Sequence, residues 1–98
     1  MTEHDEEKHS VGPVLTAGLS ADAIVRAIRE ENDSVSVQTQ PGYLRVLVPR
    51  RCQVSAAAFE RALGRPFVLP RDLEQIMPSF RGRMRVDHAV ASWEASRR

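Results

Sequence analysis

The strongest constraint on the fold is a single stretch, residues 34–48, that reads as a β-hairpin. Val35, Val37 and Thr39 alternate with Ser34, Ser36 and Gln38, the two-residue period of a half-buried strand. Gln40-Pro41-Gly42-Tyr43 suits a type II turn, where proline fixes the second position and glycine accepts a positive φ at the third. Leu44, Val46 and Val48 alternate on the return strand. A hairpin with one apolar side commits the chain to antiparallel sheet and to a cover for that side.

The remaining segments supply further strands and the cover. Val11-Gly12-Pro13-Val14-Leu15 reads as a short strand that Pro13, lacking a donor, confines to a sheet edge. Ser20 is the expected N-cap of a helix with Asp22 in its first turn. Ile24, Val25 and Ile28, flanked by Ala21 and Ala27, form its inner face, and it ends near Asn32. Cys52 and Val54 mark a brief strand after Pro49. Ser55 caps a second helix, Ala56–Leu63, with Phe59, Ala62 and Leu63 on one face and Gly64 as a left-handed stop before Pro66. Pro70 opens a third short helix that points Leu73, Ile76 and Met77 inward until Pro78. Ser79-Phe80-Arg81-Gly82 reads as a connection, and residues 83–86 and 89–93 as a last hairpin about Asp87-His88. Phe80 and Trp93 are expected in the core or at its edge. The order β-α-β-β-(β)-α-α-β-β describes a small α+β domain, largely antiparallel, with two to three short helices.

Ninety-eight residues allow one such domain and no separate cofactor domain. Residues 1–10 carry Glu3, Asp5, Glu6 and Glu7 against Lys8 and almost nothing apolar, so they are expected to be a disordered acidic tail. The domain then runs over residues 11–94, and residues 95–98 form a short basic tail. That acidic start is unlike a signal peptide, and no uncharged stretch is long enough to span a membrane. Cys52 has no second cysteine to pair with, which fits a reducing cytoplasm.

Few residues suggest chemistry. Glu6 and His9 have a Glu-x-x-His spacing, but a di-iron site needs a second copy and two further glutamates on facing helices. Cys52 has Arg50 and Arg51 beside it, yet alternation turns it the same way as Val54, into the core. The glycines are isolated, so no loop cradles a phosphate. No metal, cofactor or catalytic residue is expected. Arginine is the exception to this blandness: residues 50–85 hold eight of them against Glu60, Asp72 and Glu74. A GC-rich genome would produce the same excess. Arg81, Arg83 and Arg85 are spaced to share one strand face, either as a binding surface or as a solvated face that blunts sheet association. A nucleic-acid-binding module is the alternative, but a pI of about 8.0 and 5% aromatic residues give little basic surface and few stacking rings.

Three short segments carry a resemblance. Val11-Gly12-Pro13-Val14 followed by Ala17-Gly18, then Leu63-Gly64-Arg65-Pro66-Phe67, then Ser79-Phe80-x-Gly82 occur in register over most of the chain. Together they resemble the effector proteins of bacterial toluene and alkene monooxygenases, a group that includes the regulatory components of phenol hydroxylase and soluble methane monooxygenase. The resemblance implies a small α+β protein without cofactor or catalytic residues that docks on a diiron hydroxylase. There it shifts helices about the metal site, tunes substrate access and couples oxygen activation to oxidation, while hydroxylase, ferredoxin and reductase carry the redox chemistry. Nucleic acid and membrane are not expected partners. Gly12, Pro13, Arg65, Phe67, Arg81, Arg83 and Arg85 are the candidate interface residues. Two features depart from the pattern: the last strand, residues 89–93, is less aromatic, and the arginine ladder is richer.

Overall fold

The computed structural model describes residues 9–96. Residues 1–8, with most of the expected acidic tail, and residues 97–98 lie outside the described residues. Strand β1 (Ser10–Thr16) starts at the last residue assigned to that tail. It is followed by helix α1 (Leu19–Glu31), the hairpin β2 (Ser36–Gln40) and β3 (Tyr43–Pro49), and strand β4 (Arg51–Ser55). Helix α2 (Ala56–Leu63), the short helical turn α3 (Arg71–Glu74) and strands β5 (Ser79–Arg81), β6 (Arg83–Val86) and β7 (Val90–Glu94) complete the chain. The strands form two antiparallel sheets, ordered β2-β3-β1-β5 and β4-β7-β6. The α+β, antiparallel expectation therefore holds, and Gly42 turns the first hairpin at φ 84°.

β1 is not an edge strand. It pairs with β3 on one side and β5 on the other, despite Pro13. The ladder to β3 runs from Val11↔Val48 to Val14↔Arg45 and skips Gly12 and Pro13 between them, so the missing donor falls in a gap. The gap also brings backbone close: a Cβ on Gly12 would lie 2.4 Å from the Val46 carbonyl oxygen. The opening Gly12-Pro13 pair thus permits a central strand.

Helix α1 also begins differently. Leu19 starts it with Gly18 as a bare cap, so Ser20 lies in the first turn and caps nothing. Its end, at Asn32, is as expected, and Ala21, Ala23, Ile24, Ala27 and Ile28 are buried. There the Asn32 side-chain amide donates to the Ile28 and Gln53 carbonyls (2.8 and 2.7 Å) and accepts from the Gln53 amide (3.0 Å). Glu31 beside it accepts from the Ser55 backbone N–H (2.7 Å) and hydroxyl (3.0 Å). Helix α2 fits its caps: Ser55 Oγ accepts from the Ala58 amide at 3.1 Å, and Gly64 is left-handed. Phe59 is fully buried and its ring centroid lies 4.6 Å from that of Phe67.

Both sheets share one core, with Trp93, Phe59, Leu15, Ile24, Ile28 and Leu73 its largest wholly buried side chains. The chain turns directly from a strand of one sheet into a strand of the other at two corners. Arg50 turns β3 into β4 at φ 68°, its N–H donating to the His9 carbonyl and its carbonyl accepting from Ala95. Gly82 turns β5 into β6 at φ 105°, lodged between Val11 and the Glu94 carbonyl. Residues 79–82, expected as a mere connection, thus hold a strand and the second corner.

Candidate functional site

The three-stranded sheet has two unlike faces, fixed by register. The row Cys52, Trp93, Met84 and the row Val54, Ala91, Val86 face the core. On the outward face stand Arg51, Glu94 and Arg83 in one row and Gln53, Ser92 and Arg85 in the next. Arg51, Gln53, Arg83 and Arg85 are exposed. Arg51 is 3.3 Å from Glu94, an exposed pair that contributes little stability.

This face continues around the corners. One open hollow is lined by Arg50, Arg51, Arg83 and Glu94. A second, lined by Val11, Arg81 and Gly82, shares His9, Ala95 and Ser96 with the first. The seam between the sheets therefore gathers Arg50, Arg51, Arg81 and Arg83 about His9. Among the described residues, no carboxylate forms an ion pair with Arg50, Arg81 or Arg83.

The arginine ladder is thus split: Arg81 belongs to β5 in the first sheet, and Arg83 and Arg85 to β6 in the second. Gly82 breaks the regular alternation that a single strand would have kept. Arg81 and Arg83 still meet at the seam, where sequence reasoning missed Arg50 and Arg51, some thirty residues distant. Their only signal was the charge run beside Pro49 and Cys52.

Three other candidates are interior. Gly12 and Pro13 are buried in β1, and Phe67 is 5% exposed against Phe59, its amide held by Glu60 at 3.0 Å. They shape the fold and present little surface in this conformation. Arg65 is exposed but lies elsewhere, in a hollow between the start of α1 and the end of α2, beside Leu19, which is 88% exposed. Phe80, expected in or near the core, is 44% exposed, whereas Trp93 is fully buried.

No candidate catalytic group emerges from the core. Cys52 is wholly buried and desolvation pushes its thiol up to about 12, so it holds no thiolate near neutrality. Among the described residues, no three histidine, cysteine or acidic side chains converge as metal ligands. No helix among them is long and apolar enough to cross a membrane.

Comparison with known proteins finds relatives by sequence and chains of similar fold among solved structures. The family model described as the MmoB/DmpM family matches residues 9–94. The chain belongs to that family. It is 38% identical over 94 residues to the effector subunit of the alkene monooxygenase system of Xanthobacter autotrophicus (strain ATCC BAA-1158 / Py2), covering 94% of this chain and 92% of that one. Two solved structures of a phenol hydroxylase–regulatory protein complex each contain a chain of the same fold. One superimposes with a TM-score of 0.78 at 20% identity, covering 89% of this chain and 98% of that one. The other gives 0.71 at 24% identity, covering 86% and 99%. Gly12 and Gly82, from two of the segments that carry the family resemblance, are the glycines against which other atoms pack most closely.

Proposed function

We propose that this chain is a cofactor-free, non-catalytic effector subunit that docks on the diiron hydroxylase of an alkene or aromatic monooxygenase system. The ferredoxin and reductase of the same cytoplasmic system supply electrons to the hydroxylase. The observation that carries this reading is the 38% identity, over nearly the whole of both chains, to an alkene monooxygenase effector subunit. The mechanism is differential binding. An effector shifts its partner only by as much as it prefers one partner conformation over another. Favouring the conformation competent for oxygen activation and substrate entry is sufficient to couple the two.

The outward arginines of the second sheet and seam contribute to docking, because forked guanidinium groups match carboxylates on a partner surface. Nucleic-acid binding is disfavoured by the overall balance of charge: net +1, with the arginines offset by acids elsewhere. The test replaces Arg81, Arg83 and Arg85 together with glutamine and titrates the variant into the hydroxylase, ferredoxin and reductase. Exposed charge pairs contribute about 0.2–1 kcal/mol each, so the variant should stay folded yet need about tenfold more protein for full coupling at low salt. High salt should shrink the difference. An unchanged low-salt titration would remove these arginines from the interface and direct attention to the Leu19 and Arg65 hollow.

A further inference from the structure

Strand β6 is an outer strand, hydrogen-bonded to β7 on one side. The pairing just beyond its end fixes which of its backbone groups face the open side. The Asp87 N–H donates to the Val90 carbonyl, in the same register that sets Arg85 opposite Ser92 and Arg83 opposite Glu94. Bonded and non-bonded pairs alternate along an antiparallel ladder, so Arg83 and Arg85 bond to β7 while the N–H and C=O groups of Met84 and Val86 point away from it. The same alternation on β4, counted from the Ala56 N–H on the Ala89 carbonyl, turns Gln53 and Ser55 outward, where Asn32 and Glu31 bond to them. β6 has no such cover: among the described residues, no hydrogen bond outside the ladder reaches residues 83–86.

The side chains along this edge alternate as its backbone does. Arg83 and Arg85 are exposed on the outward face, and Met84 and Val86 lie half-buried at the rim of the core. Directly opposed residues of neighbouring strands share a face. A strand added through Met84 and Val86 would therefore set apolar side chains against theirs, covering the rim, and carboxylates against Arg83 and Arg85. A second copy of this chain fits poorly. Antiparallel pairing that uses both Met84 and Val86 puts Arg85 against Arg85, a like-charge pair. β2 and β5 are outer strands too, but β2 carries no charged residue and β5 spans three residues.

We infer that the open edge of β6 takes up an extended segment of the hydroxylase as an added strand, one in which acidic residues alternate with apolar ones. The backbone bonds at Met84 and Val86 supply affinity, and the alternation of side chains supplies specificity, as in other cases of strand addition. The inference rests on the proposed docking to a hydroxylase and extends it to a particular edge, its outward groups and the pattern of the segment they accept. The arginines that oppose a second copy are the contacts that select the acidic segment.

The experiment follows amide hydrogen exchange of the full chain, alone and with saturating hydroxylase, and measures coupling with ferredoxin and reductase on the same preparations. In the free protein the Met84 and Val86 amides should exchange at least about tenfold faster than that of Arg85, and with hydroxylase bound both should slow by at least about tenfold. Unchanged rates at Met84 and Val86 in a complex that supports coupling would overturn the strand addition and leave the docking intact. Absence of protection anywhere in the chain, together with absence of coupling, would overturn the docking and the strand addition with it. Slow exchange in the free protein that strengthens with concentration would give the edge to a second copy. R83E with R85E should abolish the protection, and its persistence would overturn the acidic pattern. M84P removes one outward N–H and no bond to β7, whereas M84A keeps that N–H. M84P should therefore need about three- to tenfold more protein than M84A for half-maximal coupling, and equal titrations would overturn the backbone pairing. The exchange readout decides on the unsubstituted chain, whether or not M84P folds.

Discussion

Replacing Gly82 with alanine tests the packing of the crossing between the sheets. Its φ of 105° is outside the range an L-residue adopts comfortably, which costs about 1–2 kcal/mol. The new methyl would also lie 2.7 Å from Val11 Cγ1 and 2.9 Å from the Glu94 carbonyl oxygen. Neither neighbour swings aside easily: Val11 is 2% exposed in a strand paired on both sides, and the oxygen belongs to β7. Overpacking of this kind adds about 1–3 kcal/mol, so the total loss should be about 2–5 kcal/mol. Gly64→Ala is the control, since φ there is 73° but nothing lies within 4 Å of the added methyl. It should cost only the backbone part. Urea unfolding followed by the fluorescence of Trp93, the single tryptophan and fully buried, reads both variants. Equal losses would refute the argument, because they would mean that Gly82 is needed for its backbone angle alone.

Two further outcomes follow from core packing and titration. Phe59→Ala should cost about 3–5 kcal/mol by the same unfolding assay, since its ring is fully buried against Phe67; a loss below about 1 kcal/mol would deny that contact its weight. The backbone N–H groups of Ala89 and Val90 hold the Asp87 carboxyl below its usual range, and that of Val68, then Arg71, does the same for Asp72. Both acids therefore bind protons less readily folded than unfolded. Their contribution should be complete above the ordinary carboxyl value of about 4 and fade as pH falls through the lowered values. The urea midpoint should be flat between about pH 7 and 5 and drop below about pH 4, with a smaller drop in Asp87→Asn.

Where the determinants were local, the sequence was legible. Pro41-Gly42 set the first hairpin, and Ser55 with Gly64 bounded α2, because such signals act within a few residues. The errors arose where tertiary pairing decided. Pro13 suggested an edge, but a gap in one ladder lets a strand carry proline between two neighbours. Strand β5 has three exposed residues and no apolar alternation to reveal it. The ladder of Arg81, Arg83 and Arg85 was legible as charge but not as geometry, since nothing local shows that Gly82 changes sheets. Arg50 and Arg51 join that site only because the β3–β4 corner lies against His9 and Ala95. Phe67 looked like a contact in its motif, and burial makes it a core residue.

The Asn32 amide has a consequence for self-assembly. β4 is an outer strand, and an outer strand ordinarily offers its unused N–H and C=O groups as a template for further strands. At Gln53 both groups are taken by one side-chain amide, which imitates a single residue of a neighbouring strand, and Glu31 takes the next N–H at Ser55. The helix end is therefore a terminator for sheet growth. Pairing of two copies edge to edge through β4 would have to displace both side chains, so crowding many copies together favours their staying separate on that side.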